Sequence, residues 1–204
     1  MPTGTPIHDI RKQLFEAAER VLLRNGPDAL TSRAVTTEAG VAKGILHRYF
    51  PDFEAFLAAL ALTHIERLDS LSKQVRAAAG EETVAGNIAK MLTAALAPAT
   101  IRIIDLVCSR QELGERLRLT TPRGIPVAAE ITRMLGAYLT AERGLGRLAI
   151  TTDVDMLAIL LVGGAHLRAS ERNDLQLDSE DLRDLIAAAI GNTLTDQRQD
   201  TNRT

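Results

Sequence analysis

The sequence predicts an all-α protein. Apolar residues recur at helical spacing along nearly the whole chain, no useful stretch alternates with a period of two, and Gly or Pro interrupts the periodic segments at short intervals. With 204 residues, 46% of them hydrophobic and 25% charged, the chain has the composition of a globular protein of one or two domains and can bury a core. The six aromatics are unevenly spread: Phe15, Tyr49, Phe50, Phe53 and Phe56 lie close to the N-terminus, and only Tyr138 serves the rest. That asymmetry predicts two unlike units, a small one stapled by rings and a larger one packed from aliphatic side chains.

Taken in order, Ile7, Ile10, Leu14, Ala18, Val21 and Leu22 form one stripe that ends at Asn25-Gly26-Pro27, predicting a first helix over about residues 8–24. Thr31 or Ser32 can cap a short second helix running to Ala39, because a hydroxyl there accepts from an otherwise unpaired amide. Gly40 ends it, and a third short helix spans about 43–49. Pro51-Asp52 breaks the third and caps a long fourth helix to about Ala79. Helices then follow over about 81–97 and 99–118, with LTTPRGIP as a loop. Pro126 suits the first turn of a helix to Glu142, and GLG at 144–146 breaks it. Thr152 with Asp155 forms a capping-box pattern for a helix over about 153–171, and Ser179 or Asp178 opens a last one to about Leu194. The total is about nine helices, followed by a polar tail, 196–204, expected to be disordered.

The second and third helices, joined through Gly40-Val41-Ala42, have the form of a helix-turn-helix, whose second helix lies in the DNA major groove. Val35, Ala39, Val41 and Leu46 are spaced to pack the two helices together, and Thr36 is small enough for a close crossing. The outward set is Ala42, Lys43, Gly44, Ile45, His47 and Arg48, with an unbulky leading end that can approach base edges. Charge leans the same way: residues 1–50 hold seven Lys and Arg against five Asp and Glu, whereas the rest hold 17 against 21.

At TSRAVTTEAGVAKGILHRYFPDFEAFL the sequence resembles the TetR family of transcriptional regulators, with a match running from about Leu14 to Leu57. The resemblance implies a helix-turn-helix domain over 1–51 and a helical ligand-binding and dimerisation domain over 52–195, linked by the long helix. It further implies a homodimeric, ligand-responsive regulator, most simply a repressor, on a near-palindromic double-stranded DNA operator. Carried over by position, Arg33 and Lys43 become contacts to bases or phosphates and Gly44 a close backbone approach. Thr31, Ser32 and Tyr49 become phosphate contacts, with Ala42, His47 and Arg48 also facing the groove. The alternative for the charged residues is a solvated surface, and for Tyr49 a packed ring. Two positions depart from the family. His47 stands where a Tyr is usual, which makes pH-sensitive binding a hypothesis. Phe53 stands where a phosphate-binding Lys is common, and it is read as packing with Phe50 and Phe56.

Farther along, the helix over 153–171 is apolar around its whole circumference and must be covered on more than one side. Leu160, Gly163, Gly164 and Leu167, with Leu182, Leu185, Ile186, Ala189 and Ile190 of the last helix, are the candidates for a four-helix dimer interface. Pocket candidates for an unknown effector are Met91, Arg102, Cys108, Met134, Tyr138 and His166. With so few rings the wall should be aliphatic, suiting an apolar or amphiphilic molecule. Arg102 pairs either with a ligand carboxylate or with Asp105, and the single Cys108 reads as a buried thiol in a reducing compartment. Enzyme signatures such as HExxH, GxSxG or a phosphate loop are not found, and His8, His47, His64 and His166 are scattered. No enzyme activity, cofactor or metal is expected. The start MPTGTPIHDIRKQ has no apolar core of signal length, and the longest apolar run, 156–167, is shorter than the ~20 residues that span a bilayer. A cytoplasmic protein with no membrane partner is expected. The competing reading is a helical ligand-binding or protein-interaction module without DNA binding.

Overall fold

A computed structural model describes residues 7–119, 124–172, 174–191 and 193–194; the expected tail over 196–204 lies outside them. Among the described residues ten α-helices run in order: α1 Ile7–Asn25, α2 Ser32–Glu38, α3 Ile45–Tyr49, α4 Phe53–Ala77, α5 Val84–Ala95, α6 Pro98–Ser109, α7 Gln111–Arg118, α8 Pro126–Gly144, α9 Val154–Ser170 and α10 Ser179–Ile190. A 3-10 turn over Pro27–Ala29 follows α1. No strand is formed among the described residues, and one isolated antiparallel bridge joins Leu148 to Leu194. The all-α expectation holds.

Local chemistry explains most ends and corrects several. Thr31, not Ser32, caps α2, its hydroxyl accepting from Ala34 N at 3.1 Å. Asp52 Oδ1 accepts from Ala55 N at 2.5 Å at the head of α4. Asp153, not Thr152, caps α9 through Met156 N at 3.0 Å, and Thr152 is buried instead. Asp178 caps α10, accepting from Glu180 N at 2.8 Å and Asp181 N at 3.3 Å. The helix expected over 81–97 is shorter because Thr83 caps it through Gly86 N at 3.0 Å. The single helix expected over 99–118 is two, which raises the count from about nine to ten. Arg110 breaks it with extended backbone at φ −122° and ψ 101°, and neither Gly nor Pro marks the place.

Packing divides the chain into two compact units. One holds the residues up to Ile65 together with Pro98–Val127; the other holds Glu66–Ala97 and the residues from Ala128 onward. In the first, α6 packs against α1 and the 3-10 turn, α7 against α6, and α2 against α1. Leu14, Leu22, Leu30, Leu46, Phe56 and Leu57 are wholly buried there. In the second, α10 packs against α5 and α9 around Ile88, Leu92, Met134, Leu135, Tyr138 and Leu161. The first centre combines its leucines with the buried rings of Phe50 and Phe56, whereas the second is packed mainly from aliphatic side chains.

Candidate nucleic-acid interface

The turn between α2 and α3 is built by backbone geometry. Gly40 adopts φ +66°, the left-handed region that a Cβ disfavours, and Val41 N donates to Thr36 O at 3.0 Å. Thr36 is buried, its hydroxyl donating back to Ser32 O at 2.9 Å. Val35, Ala39 and Leu46 are buried between the helices, as their spacing predicts, while Val41 is half-buried. From α1, Gln13 Nε2 donates to Ala39 O at 2.8 Å, fixing the end of α2. No sequence pattern singles out Gln13, because its acceptor lies 26 residues away.

Behind α3 sits a cluster of rings. Phe50 lies 5.1 Å from Phe56 edge-on and 5.9 Å from Phe15, and Phe15 lies 5.5 Å from Phe56. Phe53 stacks on Phe56 at 5.7 Å, so it packs as its type suggests, although with Phe56 rather than Phe50. Arg11 covers the Phe50 ring with its guanidinium carbon 4.6 Å from the centroid, satisfying the polar edge of this small core. The short α3, only five residues long, is held by this support rather than by its own hydrogen bonds.

Most cations of this unit are spent on architecture. Arg20 and Arg24 both bond Glu38, at 2.8 and 2.5 Å. Arg24 and then Arg20, bonding its carboxylate, hold Glu38 below the usual carboxyl range. Arg116 pairs with Asp52 at 3.3 Å, and the Ala55 amide is the first cause that lowers Asp52. Arg110 donates to Glu54 at 2.8 Å and to Leu30 O at 3.0 Å, and it lies 5.7 Å over the Phe53 ring. Arg110, Glu54 and Arg116 were not singled out from sequence, because their partners are 56 residues away or more.

The side chains singled out by the motif behave differently. Arg33, Lys43, His47 and Arg48 are all exposed, and among the described residues none of them forms an ion pair or a side-chain hydrogen bond. Ala42 and Gly44 beside them are exposed, and a Cβ at Gly44 would meet nothing within 4 Å, so the leading end of α3 is open. Tyr49 is half-exposed. Thr31 is exposed and Ser32 half-buried; Thr31 and Arg33 line a shallow groove of about 410 Å³ beside α2.

Residues 14–60 match the family model described as bacterial regulatory proteins, tetR family. Over this segment the chain is similar to the TetR family. Over 63 residues the chain is 36% identical to the HTH-type transcriptional repressor KstR of Rhodococcus jostii, a match spanning 31% of this chain and 30% of that protein. The fold extends the likeness beyond the TetR-type head. A regulatory protein TetR from Rhodobacter sphaeroides aligns with a TM-score of 0.68 at 20% identity, over 90% of this chain and 98% of that one. A TetR transcription regulator from Haloarcula marismortui aligns with a TM-score of 0.66 at 18% identity, over 93% and 100%.

The remaining candidates fall into both units. Arg102 pairs with Asp105 at 3.5 Å, the structural alternative of the two. Cys108 is exposed, not a buried core thiol, because α6 turns Ile101, Ile104 and Val107 inward and leaves residue 108 on the outside; burial of its immediate surroundings still raises the thiol. Met91, Met134 and Tyr138 are buried in the other unit, and His166 is half-buried on α9. Of these, Met91 borders a cavity of about 300 Å³ with Leu71, Val75, Ala78 and Asn87. Burial, and then the neighbouring Glu142, pushes the Tyr138 phenol well above its ordinary value. Glu142 itself is wholly buried, accepting from Gly80 N at 3.3 Å and facing Arg147 at 3.3 Å, so it ties the start of the α4–α5 loop to the end of α8.

On α9, Leu160 and Leu167 are 58% and 60% exposed, and Met156 and Ile159 continue their stripe. Gly163 opens to empty space, whereas a Cβ on Gly164 would lie 2.8 Å from Leu185 Cδ1, so Gly164 serves a close α9–α10 approach. Three interface candidates require correction: Leu182, Ile186 and Ile190 are buried in the chain's own core, on the α10 helix that packs against α5 and α9. Leu185 and Ala189 are half-buried beside them. No single helix among the described residues is long and apolar enough to cross a membrane.

Proposed function

We propose that the chain is a homodimeric transcriptional repressor whose α3 faces read the two halves of a near-palindromic operator. The observation that carries this reading is the unspent charge around α3. Neighbouring cations are paired, while Arg33, Lys43, His47 and Arg48 stand exposed on one rigidly backed helix-turn-helix. Arg33, Lys43 and Arg48 gain by displacing condensed counterions from phosphates, and they and His47 by bonding phosphates or base edges. Thr31, Ser32 and Tyr49 add hydroxyls to the same contact, and Gly44 lets backbone approach closely. The exposed stripe Met156, Ile159, Leu160, Gly163 and Leu167 supports self-association, since so much contiguous apolar surface is rarely left to water. In this proposal two copies pair through α9 together with the flank of α10 that carries Leu185 and Ala189, which spaces the reading heads.

Repression under this reading is controlled by a small apolar or amphiphilic effector that binds one arrangement of the heads better than the other. The test is selection from random-sequence DNA with purified protein. It should enrich a palindromic site, and Lys43→Ala and Arg48→Ala should each weaken binding. Each lost phosphate contact should also flatten the logarithmic salt slope by about 0.9. If no sequence is enriched, the proposal fails. For the effector, a thermal-shift screen of lipophilic compounds should find a stabilising ligand, worth about 2.7 kcal/mol at about 100 times its dissociation constant.

A further inference from the structure

A second concave site lies in the larger unit, on the outside of α10. It is a groove of about 490 Å³ between α5 and α10, a volume within the ~300–1,000 Å³ range of small-molecule sites. Ala85 and Ala89 of α5 and Ala187 of α10 form its walls, Ile186 and Ile190 its floor, and Leu194 its far end. Small residues on both helices hold it open. At the other end stand Ser179 and Arg183, the latter the only charged residue in the lining among the described residues. Seven residues of helix separate Arg183 from Ile190, or about 10 Å. The groove therefore has a cationic end and an apolar end set a medium-length alkyl chain apart.

Arg183 is exposed and, among the described residues, makes no ion pair or side-chain hydrogen bond. Asp178 influences it only at longer range, its carboxylate being occupied by the Glu180 and Asp181 amides. The groove is also independent of the proposed dimer face. Leu185, which packs on Gly164 of α9, lies about 200° around α10 from Arg183 and from Ala187, so the two surfaces occupy opposite flanks of the helix.

We propose that this groove binds an anionic amphiphile, with the carboxylate on Arg183 and the alkyl chain laid along Ala89, Ala187 and Ile190. Burial of the chain supplies most of the affinity, and the guanidinium, matched to a carboxylate in a planar fork, selects the headgroup. The inference gives a site and a headgroup to the amphiphile-binding part of the proposed function. It is tested without DNA, so a failed operator selection and a failed ligand titration are separate results.

The experiment is calorimetric titration of the full chain with dodecanoate below its micelle concentration. One site per chain is expected. Ala89→Leu, which fills the groove from the α5 wall, should weaken binding at least tenfold. Arg183→Gln should weaken dodecanoate at least threefold and leave dodecanol unchanged. Each variant is checked for a wild-type melting temperature, and Ala187→Leu provides the same block from the α10 wall should Ala89→Leu fail to fold. Absence of dodecanoate binding by the wild type overturns the proposal. So does equal binding by the groove-filling and wild-type proteins, or binding of dodecyltrimethylammonium as tightly as dodecanoate.

Discussion

The two units leave different things exposed. Around α3 the first leaves charge: three unpaired cations, Arg33, Lys43 and Arg48, with His47 beside them, on a helix-turn-helix backed by rings, while Arg20, Arg24, Arg110 and Arg116 are committed to carboxylates. Along α9 the second leaves apolar area: Met156, Ile159, Leu160 and Leu167, each more than half exposed, while its buried charge is confined to the Glu142–Arg147 knot. An unpaired cation costs little in water and gains on meeting a polyanion; an exposed leucine stripe gains on meeting another of its kind. The contrast teaches that surface left unspent, rather than composition, separates the part suited to phosphate from the part suited to a second copy. The net charge of −2 conceals the first of these completely.

The largest effect should come from the knot that holds the aliphatic unit. Glu142→Ala leaves Arg147 beside an uncompensated gap, and breaking a buried pair of this kind costs about 3–5 kcal/mol. Urea unfolding should show a loss of that order, and a loss below about 1 kcal/mol would remove the knot from the comparison. Next comes the apolar stripe. Leu160→Asp should weaken self-association by about thirtyfold or more, the equivalent of a hot spot of about 2 kcal/mol, with the monomer still folded. Light scattering reads this directly, and a wild type that is already monomeric at micromolar concentration would break the contrast.

The smallest effect sharpens the head. Glu38 and Asp52 are both held below their ordinary values, so the stability they contribute is present above the ordinary carboxyl range and is lost as pH falls through their depressed values. Salt should erode the part due to Glu38, which rests first on exposed Arg24, more than the part due to Asp52, which rests first on a backbone amide. Thermal melts between pH 6 and pH 3, at low and high salt, with Glu38→Gln as control, separate the two. Equal salt sensitivity in the control and the wild type would remove Glu38 from the set of committed charges.

What could be read from the sequence was local. The Gly40 turn, the buried Val35 and Leu46, the outward Lys43 and Arg48, and the carboxylate of Asp52 at the head of α4 are all fixed by residues within a few positions of one another. The misreadings were of long range. Periodicity shows that Leu182, Ile186 and Ile190 face something apolar, but a second copy and the chain's own core produce the same stripe. The break at Arg110 carries no Gly or Pro because its contacts with Glu54 and Leu30, 56 and 80 residues away, accompany the departure from helix. The burial of Met134 and the exposure of Cys108 were likewise illegible, since they depend on which face each helix turns inward.

Arg110 makes the corner between α6 and α7 a shared hinge pin. One guanidinium grips the lead into α2 and the first turn of α4, the two elements that flank the turn and α3 in sequence. A displacement of that corner by even a hydrogen bond's length must either carry both along or release both at once. The turn and α3 are thus held on both flanks in sequence by one side chain from a distant corner.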